Sequence, residues 1–512
     1  MLSNILGSCQ IPKQSCFQLK GEEKPMPVRS YNQNQLFLLP PSLNEWVKSD
    51  HPTRVLSEII DHLDVSGFRD EKIEGRPCYD TRMMLKILLW GYACGVRASR
   101  KIEERLYSDV IFMWLAGLEK PDFRTICLFR RCNLEAISQL FAQVITLAKG
   151  LGMLRLGLIA LDGTKVRANA GIGSFKKVAE WHKELAEAKE EVRRILQEAE
   201  TLDQVDDEKF GSANRGDELP EELTKTEQRI KKIEELMDKI GEAALDKRLA
   251  SSTDPDASYM HNSIGSIPAY NAQVAATEDQ LIVYADVTTE PVDTNQLKPA
   301  LAGIQKICGA KPERVVADTG FNSNKNLRLL EEMRVDGYIP ESGEKNIGKV
   351  LRNHPELYGK EDFEYDAEHD CYRCPAGKLL LPRRRGILKS RYSEKEVIVY
   401  RTERGICLSC AQKKKCTETK NKVGRSITRS VYEAERERMR QKLKTETGRT
   451  IYGRRKCIAE PVIGQLKVVG RFIQFLLRGL LGVRIEWKWA TVAHNLLKIA
   501  RRVVIREGVL AW

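Results

Sequence analysis

The chain has 512 residues and a formal net charge of +13 at neutral pH, from 84 Lys and Arg against 71 Asp and Glu. This length accommodates roughly two or three domains, and the basic excess suits a polyanionic partner. No apolar run reaches the about 18 residues of a membrane span, and the first residues lack the regions of a signal peptide. We therefore expect a cytoplasmic protein without membrane contacts, in which the 13 cysteines are reduced thiols or metal ligands.

The N-terminal part is predicted to be helical. Residues 1–50 are irregular, whereas residues 51–151 have a helical hydrophobic pattern throughout. A helix over 97–117, a Gly/Pro turn and a helix with Asp122 as its N-cap follow one another. This order fits a helix-turn-helix and a plain helical bundle with a basic outer face about equally well. The basic residues that would face DNA are Arg124, Arg130 and Arg131.

After residue 152 the pattern changes from helical to strand-like. Residues 156–162 form a continuous apolar run that closes with Asp162, which predicts a central strand, buried on both faces, with a carboxylate at its end. Gly163 completes an Asp-Gly pair, an ordinary turn signal. Residues 164–171 fit either a continuation of this strand or a partner of it.

The α/β pattern is interrupted by a charged helical hairpin at residues 176–249. Apolar positions recur there at spacings of three and four in both arms, so we expect an inserted antiparallel coiled coil. Residues 270–288 predict a β-hairpin, and a further short apolar strand closes with Asp318. Segments 152–340 and 426–506 together predict an α/β domain with a mixed sheet flanked by helices.

Three carboxylates in these segments indicate chemistry. Asp162 and Asp318 each close an apolar strand, and carboxylates at strand ends meet at the edge where α/β sheets bind ligands. Two such groups repel each other unless a cation neutralises them. Glu460 lies where Pro461 begins or kinks a helix, with Lys467 two turns away on the same face. Three carboxylates suit Mg²⁺ or Mn²⁺, and a pair of such ions supports phosphodiester displacement.

A loop-rich segment at residues 341–425 holds two Cys-x2-Cys pairs. Four thiolates in a tetrahedral arrangement are typical of structural Zn²⁺ sites, so the pairs predict zinc, with unligated thiols as the alternative. Cys416 is a possible further ligand, and His369 is the histidine closest to these cysteines. The predicted zinc ligands are Cys371, Cys374, Cys407 and Cys410.

Short strings in a fixed order extend these patterns over most of the chain. LDGTK contains Asp162, VVADTGFNS contains Asp318, and AEPVIGQLK contains Glu460. The others are TDPDA, YNAQVA, YRCPAGK, CLSC, FLLRGL and AHNLLK. In these strings the sequence resembles the DDE transposases of bacterial insertion sequences. The resemblance implies a ribonuclease-H-like catalytic fold in which the three acids are catalytic.

The family has the signature Tyr-x2-Arg-x3-Glu-x6-Lys around its third acid. Tyr452, Glu460 and Lys467 fit this signature. Four residues separate Arg455 from the glutamate where the signature has three, and Lys456 occupies the arginine spacing instead. Whether Arg455 or Lys456 contacts phosphate therefore stays open.

The resemblance also implies an activity and its partners. Two Mg²⁺ or Mn²⁺ ions would assist hydrolysis at each transposon end and attack of the released 3′-OH on target DNA. The implied partner is double-stranded DNA, bound on the bacterial nucleoid by a dimer that holds two ends. The N-terminal helices resemble the family's terminal-repeat DNA-binding domain, which favours the helix-turn-helix. An inactive DNA-binding regulator and a nuclease without strand transfer are the alternatives.

Overall fold

The computed structural model describes residues 42–68, 78–210, 221–240, 249–262, 265–341, 357–390, 393–417 and 424–506. Residues 1–41 of the segment predicted to be irregular lie outside the described residues. From Trp46 onward the chain clusters into one compact unit. The predicted α/β class with a mixed sheet is confirmed. The boundaries of the predicted domains stay a prediction.

The N-terminal part is helical in its described residues. Its helices are α1 (Leu43–Trp46), α2 (Pro52–His62), α3 (Thr81–Ala93), α4 (Ser99–Ser108), α5 (Val110–Ala116), α6 (Phe123–Cys132) and α7 (Leu134–Gly150). The helix predicted over 97–117 is divided because Asp109 caps the start of α5. Gly117 ends α5 in the left-handed region with a φ of 58°, and Asp122 caps α6 as predicted.

A mixed sheet lies at the centre of the molecule. The strands up to residue 338 are β1 (Leu158–Arg167), β2 (Phe175–Lys177), β3 (Leu249–Ser251), β4 (Ser258–Asn262), β5 (Gly265–Thr277), β6 (Ile282–Thr288), β7 (Arg314–Ala317) and β8 (Asp336–Tyr338). The sheet has the order β4-β5-β1-β7-β8, and β6 pairs with β5 in the predicted hairpin. β5 is antiparallel to β1, whereas β7 and β8 continue the sheet in parallel.

Asp162 lies in the middle of β1 and not at its end, and of the two alternatives for residues 164–171 the continuation of the strand is confirmed as far as Arg167. β5 pairs with β1 as far as Arg167, so the residues after Asp162 find backbone partners and continue the strand. Gly163 pairs with Gln273 inside the sheet, so the Asp-Gly pair is not a turn. Asp318, in contrast, directly follows β7 as predicted.

Further helices cover the sheet and extend from it. They are α8 (Val178–Phe210), α9 (Glu221–Ile240), α10 (Leu297–Cys308), α11 (Asn324–Glu332), α12 (Lys413–Cys416), α13 (Glu433–Lys444), α14 (Glu446–Gly464) and α15 (Gly479–Arg506). α8 and α9 pack on each other in the predicted hairpin, whose residues 211–220 and 241–248 lie outside the described part. None of the helices among the described residues combines the length and the apolar character of a membrane span.

Pro461 lies inside α14, so no helix starts at this residue, and the predicted kink stays a prediction. Proline has no backbone N–H to donate to the carbonyl four residues earlier, which belongs to Cys457. The side chain of Gln280 donates to that carbonyl instead, at 3.1 Å. The helix therefore continues to Gly464 and passes into a π-helical turn at Gln465–Val469.

One main hydrophobic core joins the N-terminal helices to the sheet through α15. Trp489 of α15 packs among three aromatic rings of the N-terminal part, those of Phe68, Tyr92 and Phe129. Glu486, also on α15, forms a buried ion pair with Arg97 at 2.7 Å. The helices predicted to bind DNA thus share their core with the strands that carry Asp162 and Asp318.

A second, smaller sheet occupies the segment predicted to be loop-rich. Its strands are β9 (Glu364–Asp366), β10 (Cys371–Arg373), β11 (Leu379–Ser390), β12 (Ser393–Arg401) and β13 (Ser426–Ser430), in the antiparallel order β13-β12-β11-β10-β9. Interspersed basic residues conceal the strand pattern in the sequence. Its core is small and consists of Phe363, Tyr372, Leu380, Tyr400 and Ile427.

Candidate active site

Asp162 lies on β1, and Asp318 directly follows the neighbouring parallel strand β7. β1 and β7 pair in a register that sets the residues before the two aspartates opposite each other. Asp162 is buried, and its Oδ1 accepts the backbone N–H of Gly163 at 2.9 Å. Oδ1 of Asp318 accepts the backbone N–H of Gly320 at 2.9 Å. The fold thus brings the two predicted aspartates together and holds each carboxylate by its own backbone.

Both carboxyls have raised pKa values. The pKa of Asp162 is raised to about 6, with burial as the largest cause, opposed by Arg455 and supported by Asp318 and Asp293. Burial also raises the pKa of Asp318, with Asp293 as the second cause. Carboxyls that repel one another in a buried place form a site where a cation is stabilised.

α14 brings the third predicted acid, Glu460, to the same place. The buried residues of this helix include Ile458, Ala459 and Val462, which belong to the main core. The guanidinium of Arg455 donates to Oδ2 of Asp162 at 3.0 Å and to Oε1 of Glu460 at 3.1 Å. One arginine therefore joins the first and the third acid across two elements of the fold.

A fourth carboxylate, Asp293, was not predicted from the sequence. Its Oδ1 accepts the side-chain amides of Asn271 at 2.7 Å and Gln273 at 2.6 Å. Lys165 of β1 lies 3.8 Å from the same oxygen. Because Asp293 also raises the pKa of Asp162 and Asp318, it belongs to the same electrostatic group. We call Asp162, Asp293, Asp318 and Glu460 the acid cluster.

The glycine after Asp162 makes room for this fourth carboxylate. A Cβ atom at Gly163 would lie 2.4 Å from Oδ1 of Asp293 and 2.5 Å from Nε2 of Gln273. The sequence does hold a signal of Asp293. Asn271 and Gln273 are fully buried amides two residues apart on a central strand, and buried polar groups require partners.

The residues of the family signature surround the acid cluster. Lys467, in the π-helical turn, donates to the backbone oxygen of Lys165 at 3.4 Å. Burial lowers the pKa of Lys467, and the nearby Asp162 opposes this effect. Tyr452 lies one turn before Arg455 on α14, and burial raises its pKa. Lys456 is exposed, so of the two basic candidates it is Arg455 that contacts the acids.

The three arginines of α6 have different environments. Arg124 and Arg131 are exposed. Arg130 is only 3% exposed, and its guanidinium donates to the backbone oxygen of Arg97 at 2.8 Å. Its side chain therefore supports the helical packing, and we exclude Arg130 from the residues predicted to bind DNA.

The cysteines converge in a different combination from the predicted one. A cavity of about 30 Å³ is lined by Cys374, Cys407, Cys410 and Cys416, which we call the cysteine cluster. Cys371, which was predicted to be a ligand, lies buried in β10 and does not line this cavity. His369 is exposed and contacts Asp366. Within the described ranges, no three His, Cys, Asp or Glu side chains are already placed to hold a metal ion.

A basic groove borders the acid cluster. This cavity of about 450 Å³ is lined by residues that include Asn322, Arg436, Arg440, Lys444, Arg449 and Tyr452. Tyr452 connects the two sites because it lines the groove and contacts Arg455. Arg436 and Arg440 both pair with Glu341. Because Glu341 also lines the groove, the exposed basic side chains of the groove are Lys444 and Arg449.

Two parts of the chain match models of known protein families. Residues 373–500 match the model of the Transposase DDE domain, and residues 41–132 match that of the Transposase domain (DUF772). The first match includes Arg455, Glu460, Lys467 and the cysteine cluster, and the second covers the helices from α1 to α6. No curated protein and no solved structure matches the chain.

Proposed function

The chain belongs to the DDE transposases of insertion sequences, and from this premise we propose that it cleaves DNA at transposon ends and joins these ends to target DNA. Asp162, Asp318 and Glu460 are the catalytic acids in this proposal. One observation carries it: Arg455 bridges Asp162 and Glu460, while Asp318 lies beside Asp162 across the β1–β7 pair. Acids from three separate parts of the sequence thus meet at one place.

A ribonuclease-H-like catalytic fold is part of the proposal. The strand order supports it, because the antiparallel β5 and β6 lie on one side of the central β1 and the parallel β7 and β8 lie on the other. The first acid lies within β1, the second follows β7, and α14 carries the third. This arrangement holds the carboxylates on rigid elements, as catalytic geometry requires.

The acid cluster fits the divalent cations that DDE transposases use. Its donors are carboxylate oxygens, the ligands that Mg²⁺ and Mn²⁺ prefer. Asp162, Asp318 and Glu460 would hold two ions, with Asp293 adding negative charge beside them. When bound, such ions activate the attacking oxygen and stabilise the leaving oxygen of a phosphodiester.

Arg455 and Lys467 act on the DNA backbone in this mechanism. In the structure Arg455 neutralises two carboxylates, and its planar guanidinium is equally suited to a phosphate group. We infer that Arg455 releases the carboxylates of Asp162 and Glu460 when DNA binds and then donates its hydrogen bonds to a phosphate of the bound strand. Asp162 interacts electrostatically with Lys467 and opposes the lowering of its pKa by burial. The ammonium group of Lys467 has three N–H donors for a neighbouring phosphate.

The DNA duplex is proposed to lie along the basic groove. Lys444 and Arg449 line this groove next to Tyr452, and exposed Arg124 and Arg131 of α6 add a second basic surface. We assign the terminal repeat to the N-terminal helices and propose that a dimer holds the two ends. Because phosphate contacts release counterions, the affinity for the end duplex should fall steeply as salt rises.

The decisive experiment compares cleavage with binding for a duplex that carries a transposon end. Asp162→Asn, Asp318→Asn and Glu460→Gln should each abolish cleavage in Mg²⁺, because each removes a carboxylate ligand of the proposed ions. Binding in a gel shift should survive, since the phosphate-binding residues are intact. A wild type that binds the duplex but cuts it in neither Mg²⁺ nor Mn²⁺ would be a regulator. Cleavage without any joined product would indicate a nuclease.

A further inference from the structure

The cysteine cluster lies far from the acids in sequence and plays no part in the proposed DNA chemistry. Cys374 directly follows β10, Cys407 and Cys410 lie in the loop after β12, and Cys416 ends α12. All four line the same small cavity, and none forms a disulfide. Four thiols from two separate chain segments at one cavity are more than hydrophobic packing requires.

The loop around Cys374 is shaped for a thiolate. Gly377 donates its backbone N–H to the carbonyl of Cys374 at 2.8 Å, with a positive φ of 73°. This tight turn aims the backbone N–H of Lys378 at Sγ of Cys374, at 3.3 Å. An N–H that points at sulfur stabilises its negative charge, which is the charge of a metal-bound cysteine.

The backbone also passes close to the sulfur of Cys407. A Cβ atom at Gly424 would lie 2.6 Å from Sγ of Cys407, and the φ of Gly424 is 64°. Because glycine has no Cβ atom and adopts a positive φ readily, the backbone at Gly424 can pass close to this sulfur. Oγ1 of Thr402 lies 3.2 Å from the same Sγ.

The four thiols face one small cavity of about 30 Å³. As thiols these partly buried groups form only weak hydrogen bonds. As thiolates they repel one another, and a soft divalent cation removes that repulsion.

We propose that Cys374, Cys407, Cys410 and Cys416 bind one Zn²⁺ ion that fixes the loop after β12 to the small sheet. Cys374 and Cys416 already pack against the core of this sheet. That core is small, and small cores commonly need a metal or disulfide staple. Because no three ligands are yet in place around one point in the described residues, metal binding includes a closure of the four sulfurs onto the ion.

Cys371 is excluded from the site by the pleat of its strand. Tyr372, the next residue of β10, belongs to the core of the small sheet, and successive side chains of a strand point to opposite faces. Cys371 therefore points away from the core against which Cys374 packs. The two residues form a Cys-x2-Cys pair in sequence but not in space.

The full-length protein tests the proposal through its metal content. We expect about one equivalent of zinc, as in other four-thiolate sites, and a thiolate-to-metal charge-transfer band after replacement by Co²⁺. Cys416→Ser should weaken Co²⁺ binding by about tenfold or more, whereas the matched control Cys371→Ser should keep the wild-type affinity. Less than half an equivalent of zinc together with no Co²⁺ band would overturn the site. The reverse behaviour of the two variants would restore Cys371 as a ligand.

A second measurement needs no variant and therefore does not depend on folding of the mutants. The wild-type protein is alkylated with iodoacetamide before and after treatment with a zinc chelator, and the modified cysteines are identified by mass spectrometry. Chelation should increase the modification of Cys374, Cys407, Cys410 and Cys416 together. Unchanged modification of these four residues would contradict the proposal.

Discussion

The acid cluster and the cysteine cluster are built on different supports. Asp162 lies within β1, and Asp318 directly follows β7, the buried strand beside it. Glu460 lies on α14, a helix that packs in the main core. The four cysteines lie on turns and one short helix around a small core. Within the described residues neither cluster has three ligands already placed around one point, so both must adjust when a cation binds. The acids do so on elements of the main core, whereas the cysteines do so on turns around a small core. We infer that a metal at the acids serves chemistry and that a metal at the cysteines serves folding.

The same difference appears in the arginine beside each cluster. Arg455 binds two carboxylates, charged groups that another cation can neutralise in its place. Arg425 donates to the backbone carbonyl of Cys416 at 3.0 Å and lies 5.3 Å from the ring of Phe363. Arg425 therefore has partners that no ligand replaces. We infer that Arg455 can change partners during the reaction, whereas Arg425 keeps its partners and stabilises the fold.

Among substitutions that keep the four acids, the largest effect should come from Gly163, which lies directly beside Asp293 of the acid cluster. Gly163→Ala would bring a Cβ atom to 2.4 Å from Oδ1 of Asp293, so the carboxylates must move. Because a displacement of about 1 Å at a catalytic group costs on the order of 100-fold, we expect cleavage to fall by about that factor. Zinc content should stay at its wild-type value.

Gly424→Ala is the counterpart in the cysteine cluster. Its Cβ atom would lie 2.6 Å from Sγ of Cys407, at a positive φ. We expect a loss of about 1–2 kcal/mol in stability and weaker zinc binding, with most of the cleavage rate retained below the melting temperature. If Gly163→Ala changed the zinc content and Gly424→Ala abolished cleavage, the division of roles would be wrong.

The sequence predicts the members of the acid cluster better than their setting. Local patterns identify Asp162 and Asp318, because an apolar run followed by a lone aspartate is visible within a few residues. Whether β1 continues past Asp162 depends on pairing with β5, about a hundred residues away, so the local pattern left the continuation open. Asp293 was missed because it closes no apolar run, and its contacts with Asn271 and Gln273 depend on the fold.

Two residues were assigned to sites from their spacing or charge in the sequence, although the orientation of their side chains gives them another role. Cys371 has the spacing of a zinc ligand, but the pleat of β10 turns it away from Cys374. Arg130 has the charge of a DNA-binding residue, but the packing of α6 directs it toward the backbone of Arg97. Both errors concern which face of an element a residue occupies, and this is settled by tertiary packing.

A substitution of intermediate effect separates the two basic residues before Glu460. Arg455→Ala removes charge-assisted hydrogen bonds worth about 1.5–3 kcal/mol, so cleavage should fall about 10- to 100-fold. Lys456→Ala, the matched control on the same helix, alters an exposed side chain and should change the rate by less than about threefold. Single-turnover cleavage of the end duplex measures both. Equal losses in the two variants would contradict the assignment of phosphate contact to Arg455.

The smallest expected effect is on the unfolding temperature. Removal of an acid from the acid cluster should raise this temperature in a pH-dependent way, whereas removal of a thiol from the cysteine cluster should lower it. Burial raises the pKa of Asp162 from 3.8 to about 6 in the folded protein. Between about pH 4 and pH 6 the folded state therefore binds a proton that the unfolded chain has lost. Raising the pH through this window removes that proton, so without divalent cations the acid cluster destabilises the fold at neutral pH.

Asp162→Asn should therefore unfold at a higher temperature than the wild type at pH 7 in a magnesium-free buffer. We expect a difference of about 1–3 °C, which disappears as the pH is lowered to about 4. Cys416→Ser should unfold at a lower temperature than the wild type at pH 7, because it removes a stabilising ligand and no repelling charge. Calorimetry of the three proteins at pH 7 and pH 4 measures both signs. A wild type that is more stable than Asp162→Asn at pH 7 would show that Arg455 fully compensates the buried carboxylate and that the acid cluster is not under strain.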